Sequence, residues 1–393
     1  MRQWRFDQSL MGQAFSFHVP TQVQFGDGAS AGLPDLLPPD VRHVAFLQGA
    51  SGVAAGPIVE RLEQAGIRLT KVACRGEPSV TTVNEAVQLL RAGSIDAVVA
   101  CGGGSVIDSA KAVAFCLGHD LRLTEDFSEV PSALLNASTP LPLIAIPTTA
   151  GTGAEVTANA VLDLPSRGAK VSLRGRALQP DYALVDPLLL PSAPKATILA
   201  SGLDAVAQTI EAFTSNAATP FSDALTAPNV ARGLVALQAV METRESDAWR
   251  DLAWVSLSSG VALANSGLGA AHGLASVLGG RYGAPHGALC GRLLVPVLRQ
   301  NLARAVSGSD TKARLETCAA TLSNVFPPLP GQDVFSGFNH WQREHGLPRL
   351  ADMGVTPEAL PDLATQSAGA SSSKRNAVVL SPEDYEIILR AAL

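Results

Sequence analysis

Short apolar runs recur through the first half of the chain, and stretches with helical spacing lie between them. Val44-Ala-Phe-Leu47, Leu69-Thr-Lys-Val-Ala73, Asp96-Ala-Val-Val-Ala-Cys101, Leu143-Ile-Ala-Ile146 and Ala183-Leu-Val-Asp186 read as strands. Ile58, Val59, Leu62 and Ala65 recur at helical spacing before Gly66, and residues 80–92 repeat that pattern. Strands alternating with helices of this length predict a doubly wound, parallel α/β sheet. Past Pro187 the pattern changes. Residues 196–213, 222–242, 248–265 and 287–306 carry helical periodicity with few strand signals, and Pro327-Pro328 interrupts it once. The small polar residues 368–375 read as a mobile surface loop. At 393 residues the chain exceeds the size at which one core keeps growing. An α/β domain over 1–190 and an all-α domain over 191–393 are therefore expected.

Composition narrows the class. With 47% hydrophobic and 16% charged residues, the chain has the content of a globular enzyme and not of a disordered one. A net charge of −6 without basic runs argues against a nucleic-acid partner. Cys74, Cys101, Cys116, Cys290 and Cys318 are scattered, with no CxxC pair, which suits buried thiols in a reducing cytoplasm. The N-terminal stretch lacks an apolar signal core, and no run approaches the length of a membrane span. A cytoplasmic protein without a membrane partner is expected.

Two motifs follow strands of the first half. In Cys101-Gly-Gly-Gly-Ser105-Val-Ile-Asp108-Ser-Ala-Lys111, a buried strand enters three glycines, and Ser105 stands where a helix N-cap is expected. Asp108, three residues on, would complete a variant of the capping box. Glycines let backbone approach a phosphate, and a helix N-terminus offers N–H groups and a positive dipole end. The turn therefore reads as a pyrophosphate site, although it is not GxGxxG. Pro147-Thr148-Thr149-Ala-Gly-Thr152-Gly-Ala-Glu155 places hydroxyls at a strand's C-terminal end, where open α/β sheets bind ligands. Gly26-Asp-Gly28 reads as a plain turn.

The helical half carries a different chemistry. His272 and His286 each sit beside a glycine in an otherwise apolar stretch, with His272 on a helix ending near Gly279-Gly280 and Pro285-His286 opening the next. A neutral imidazole ligates a metal without burying charge, and two helix ends can converge on one ion. Asp204 and Gln208 are four apart and share a helical face among apolar neighbours. A carboxylate there needs a partner, either a metal or a buried Arg or Lys. Histidines satisfied locally at helix ends are the rival reading.

Together these segments resemble the iron-containing (group III) alcohol dehydrogenases over nearly the whole length. The matching pieces are Gly-Gly-Gly-Ser-x-x-Asp at 102–108, the loop at 147–155, Pro180-Asp-x-Ala-Leu-Val-Asp-Pro187, Gly-x-Asp-Ala at 202–205, and two histidines fourteen apart before Pro-His-Gly. The resemblance implies a dinucleotide-binding α/β domain, a helical metal and substrate domain, and a homodimer, with metal and nicotinamide meeting in a cleft. It implies metal ligands at Asp204, Gln208, His272 and His286, with Asp204, His272 and His286 catalytic. The implied cofactor contacts are Gly49, Ser51, Gly102, Gly103, Gly104, Ser105, Asp108, Thr148, Thr149, Thr152 and Lys170. The function implied is NAD(P)-dependent interconversion of a small alcohol with its aldehyde or ketone, assisted by Fe²⁺ or Zn²⁺. Gln208 stands where most members have a histidine, and its carbonyl is the weaker donor. Ser276 stands where many carry a second histidine one turn after the first. Gly49 falls where an Asp often excludes a 2′-phosphate, so NADPH is expected to be accepted. Maleylacetate reductases, dehydroquinate synthase-like lyases and a catalytically silent nucleotide binder are the alternatives.

Overall fold

Residues 14–127, 130–138 and 141–393 are described by a computed structural model, in which two compact units segregate. Residues 19–194 form one, and residues 14–18 with 195–393 form the other.

The first unit holds strands β1 (Gln22–Phe25), β2 (His43–Gly49), β3 (Arg68–Cys74), β4 (Ala97–Gly102), β5 (Leu143–Pro147), β6 (Asn159–Leu164), β7 (Ala169–Arg174) and β8 (Tyr182–Val185). Its helices are α1 (Leu33–Leu36), α2 (Gly56–Gln64), α3 (Val80–Leu90), α4 (Gly104–Gly118) and α5 (Ser132–Leu135). Six strands make a parallel sheet in the order β1-β8-β5-β4-β2-β3. The apolar runs of β2, β4 and β5 are continuous because both sheet faces are covered. Ala45, Leu47, Val98, Ala100 and Leu143 enter the core under α3 and α4. Their neighbours Val44, Phe46, Val99 and Ile144 enter the core under α1 and α2. Such alternation is the two-residue period of a strand. Because β4 returns to the opposite side of β2 from β3, the strand order reverses between β2 and β4, and their C-terminal ends adjoin.

Two features departed from the sequence reading. β1 is an exposed edge strand, and β6 pairs antiparallel with β7 as a separate hairpin. A buried anchor holds that hairpin down. Asp108 Oδ2 accepts from Val161 N at 2.9 Å, and Lys111 Nζ donates to the Asn159 carbonyl at 2.8 Å.

The second unit is helical: α6 (Lys195–Thr214), α7 (Pro220–Glu242), α8 (Ser246–Ser266), α9 (Ala270–Tyr282), α10 (His286–Arg304), α11 (Asp310–Val325), α12 (Ser336–Glu344), α13 (Leu360–Gly369) and α14 (Pro382–Ala392). Residues 14–18 pack here, with Phe17 stacked on Phe221 at 4.2 Å. α9 runs past Gly279-Gly280 to Tyr282, because its left-handed C-terminal residue is Gly283, at φ 63°. Nor is the segment 368–375 a free surface loop. A Cβ on Gly273 of α9 would overlap Ser373 Oγ and lie 3.3 Å from Ser373 N, so the segment packs closely on α9 there. Among the described residues no single helix is long and apolar enough to cross a membrane.

Candidate metal centre and nucleotide edge

At the sheet's C-terminal edge, three expected cofactor segments come together on neighbouring strands. Gly49 ends β2 and is followed by exposed Ser51, Gly102 ends β4, and Thr148 follows β5. Thr148 N donates to the Gly102 carbonyl at 2.9 Å, which ties the second and third segments. The expected cap is corrected: Gly103, not Ser105, is the N-cap of α4, and no side chain caps it. The helix starts earlier because both Val106 N and Ile107 N bond to the Gly103 carbonyl. Asp108 is no capping partner, since its carboxylate is turned to the hairpin. The glycines are needed for closeness. A Cβ on Gly103 would lie 3.1 Å from Thr149 Oγ1, and one on Gly104 would lie 2.9 Å from Thr152 Oγ1. An uncapped helix N-terminus lined by half-buried hydroxyls fits a pyrophosphate. Lys170, on β7, pairs with Glu77 at 3.6 Å.

Glu155, which closes the threonine loop, is buried at 2% exposure. Burial pushes its carboxyl up to about 7, against its own backbone hydrogen bond and the Lys111 charge. Released from the fold it titrates near 4.5, so between about pH 4.5 and 7 the folded chain binds more protons than the unfolded one. Stability from this group is then present at low pH and lost as pH rises through that window. Glu155→Gln should erase the loss. Relative to wild type it should gain on the order of 3 kcal/mol between pH 4.5 and 8 in urea unfolding. A constant difference across that range would refute the assignment.

In the helical unit, α6 presents Asp204, Gln208 and Glu211 along one buried face. α9 brings His272 and α10 brings His286 and Cys290 to it. Nitrogen, oxygen and sulfur atoms of Asp204, His272, His286 and Cys290 lie within 4.8 Å of one another. His272 Nε2 is 3.2 Å and His286 Nε2 3.9 Å from Asp204 Oδ1, and Cys290 Sγ is 3.6 Å from His286 Nε2. Tetrahedral bonds of about 2.0–2.3 Å around one ion require donor separations of about 3.3–3.8 Å, and these three distances lie within about 0.1 Å of that range. Both the spacing and the donor chemistry fit a divalent metal. Asp204, His272 and His286, three of the four residues expected as ligands, belong to this group. The fourth, Gln208, donates its amide N–H to Ser259 Oγ of α8 at 2.9 Å.

Sequence reading missed two participants. Cys290 follows His286 by one helical turn, a spacing that could have revealed it. Glu211 completes the i, i+4, i+7 series begun by Asp204 and Gln208. Its carboxylate accepts from Gly269 N at 3.0 Å, Ala271 N at 2.6 Å and His272 Nδ1 at 2.6 Å. Asn376 Oδ1 accepts from Ala270 N at 3.2 Å. These acceptors replace the missing cap of α9, whose first N–H groups would otherwise be buried unpaired. Gly269 is required here, since a Cβ would lie 2.8 Å from Glu211 Oε1 and 2.9 Å from Asn376 Oδ1.

Electrostatics at the centre favour a cation. Burial pushes the Asp204 carboxyl up, but His286 and His272 outweigh it and hold the group below its ordinary range. Burial opposes charge on His272, yet Cys290, Asp204 and Glu211 around it hold its pKa well above the ordinary value. Two buried carboxylates flanking one imidazole need compensating positive charge. A proton on His272 supplies it, and so would a metal.

Known proteins match nearly the whole length of the chain. Residues 20–187 match the iron-containing alcohol dehydrogenase family, and residues 198–393 match the C-terminal part of the same family. The probable alcohol dehydrogenase EutG of Salmonella typhimurium is 33% identical, over 90% of this chain and 88% of that one. The NAD-dependent methanol dehydrogenase of Bacillus methanolicus is 30% identical, over 81% and 82%. Among solved structures, an iron-containing alcohol dehydrogenase from Thermotoga maritima is 26% identical with a TM-score of 0.80, covering 97% of this chain and 99% of its own. Matched at both ends and carrying the glycine turn, the threonine loop and the convergent Asp204, His272 and His286, the chain belongs to the iron-containing alcohol dehydrogenase family.

Proposed function

We propose that this protein interconverts a small primary alcohol and its aldehyde, using a nicotinamide cofactor and a divalent metal. The observation that carries the reading is the convergence of Asp204, His272 and His286 on one point, with Glu211 behind His272. A carboxylate on the far ring nitrogen is the arrangement that fixes a metal-binding histidine. Glu211 takes the Nδ1–H, which leaves the Nε2 lone pair for the ion. When bound, the metal polarises the substrate oxygen as a Lewis acid and the nicotinamide carries the hydride. Asp204 offsets one unit of the ion's charge, and His272 and His286 add none. At the sheet edge, the Gly102–Ser105 turn and the start of α4 bind the pyrophosphate, and Thr148, Thr149, Thr152 and Lys170 line the cofactor's path.

Cofactor choice follows from the end of β2. Gly49 and Ser51 place no carboxylate beside the adenosine ribose, so a 2′-phosphate meets no like charge from them. Avoiding such a pair is worth on the order of 1–3 kcal/mol at intermediate dielectric. The test is metal analysis of the purified protein, followed by NADH and NADPH oxidation with a series of small aldehydes. Turnover is expected with about one metal per chain, and NADPH should serve at least as well as NADH. Protein that holds no metal and stays inactive after loading with Zn²⁺ or Fe²⁺ would overturn the activity. Strict NADH preference would overturn only the cofactor reading.

A further inference from the structure

We propose that Cys290 is the fourth protein ligand of the metal, giving a centre of one carboxylate, two imidazoles and one thiolate. The inference rests on the reading of Asp204, His272 and His286 as a metal site, and adds a donor of different chemistry to it.

Placement is enforced by backbone contact. On α10, Gly287 and Gly291 each follow one of the two donors, His286 and Cys290, so all four residues repeat at one-turn spacing. A Cβ on Gly287 would overlap the Ala200 carbonyl and lie 3.1 Å from Asp204 Cβ, and one on Gly291 would lie 2.6 Å from Leu203 Cδ1. Glycines thus let α10 lie directly on α6, and this contact brings Cys290 against Asp204. Cys290 is fully buried, so its thiol cannot turn to solvent. Its sulfur lies 3.6 Å from His286 Nε2, close to the nitrogen–sulfur separation of a tetrahedral zinc site, about 3.5 Å. Gln208 is the competing fourth donor. It offers a neutral carbonyl oxygen, a weaker donor to the metal than a thiolate, while its amide N–H group is bound to Ser259.

A thiolate changes the centre's preference. Sulfur favours Zn²⁺ and Co²⁺ over the harder Fe²⁺, relative to an all-oxygen-and-nitrogen set. On binding, the thiol proton leaves to solvent and the Sγ–metal bond takes its place.

Loading the metal-stripped protein with Co²⁺ tests the assignment, because a cobalt–thiolate bond absorbs strongly in the near ultraviolet. Wild type should bind one Co²⁺ and show that band. Cys290→Ser should lose the band, keep the weaker visible cobalt bands, and bind Zn²⁺ at least about tenfold more weakly. Gln208→Leu should keep the band, as should Cys74→Ser in the other unit. Far-ultraviolet circular dichroism checks that each variant folds, and Cys290→Ala stands in if the serine variant does not. One Co²⁺ bound to wild type without the band would overturn the thiolate ligand and leave the metal site standing. A band that persists in Cys290→Ser would overturn it too. Failure of wild type to bind Co²⁺ or Zn²⁺ at all would overturn both this inference and the metal reading beneath it.

Discussion

Glu211→Gln should weaken metal binding by about 10–100-fold while leaving every proposed ligand in place. The reason lies in the roles one carboxylate fills. Its oxygens accept from Gly269 N, Ala271 N and His272 Nδ1, so it both caps α9 and sets the tautomer of a ligand. A glutamine keeps one acceptor oxygen and replaces the other with a donor NH₂, which would face N–H groups. His272 would then be free to move its proton to Nε2, the nitrogen that faces Asp204. Folding should suffer as well. Hydrogen bonds to a charged acceptor are each worth about 1.5–3 kcal/mol, and a buried donor left unpaired costs a similar amount. Glu211→Ala, which strands all these donors, should therefore cost at least about 3 kcal/mol in urea unfolding of the metal-free protein. Zn²⁺ titration of the glutamine variant and unfolding of the alanine variant read the two roles separately. Unchanged affinity in the first would mean that His272 is held by its backbone alone.

The elements that could be read from sequence are those whose environment repeats. β2, β4 and β5 are buried on both faces, so their apolar runs stand out from the polar stretches beside them. β1 is an exposed edge strand of sequence Gln-Val-Gln-Phe, with no buried face to impose a pattern. The β6–β7 hairpin was missed because β6 alternates buried Ala160, Leu162 and Leu164 with half-buried Asn159, Val161 and Asp163, and so lacks the continuous apolar run of the central strands. Long α6, α7, α8 and α10 were visible through their periodicity, whereas α12 and α13 are near the shortest helices that periodicity can reveal. Cap position failed for a related reason. Ser105 has the right side chain, but Gly103 has the carbonyl that Val106 and Ile107 reach, and only backbone geometry distinguishes them.

The site divides along the same line. Asp204, His272 and His286 stood out as polar groups in apolar surroundings. Glu211 lies on the same helix as Asp204, but its partners lie about 60 residues further on, so nothing in its own segment singled it out. Cys290 looked like one buried thiol among several until α10 set it one turn from His286. Residues 368–375 carry the composition of a free loop, yet Asn376 just beyond them exchanges hydrogen bonds with Asn301 and accepts from α9. Composition describes a segment's own chemistry. The glycine on the facing helix decided where this one lies.

The largest stability loss is expected at a position away from the metal. Arg314 of α11 is 4% exposed and forks onto Asp223 of α7, with Nη1–Oδ1 and Nη2–Oδ2 both at 2.7 Å. Its Nε donates to Asp310 at 2.6 Å, and Nη1 also donates to the Phe213 carbonyl at 2.9 Å. That carbonyl belongs to the last turn of α6, where backbone acceptors have no helical partner. One guanidinium thus fastens the ends of three helices, including the one that carries Asp204 and Glu211. Arg314→Ala leaves the Asp223 carboxylate buried and uncompensated, which costs about 3–5 kcal/mol. Lysine cannot replace it, since an ammonium lacks the planar fork that meets both carboxylate oxygens. The double variant Arg314→Met with Asp223→Leu removes charge and counter-charge together, and should recover most of the loss. Urea unfolding of the two variants beside wild type measures this. If the double variant is as unstable as Arg314→Ala, the damage comes from releasing the Phe213 carbonyl and the end of α6. Metal affinity, measured on the same samples, should then fall in both.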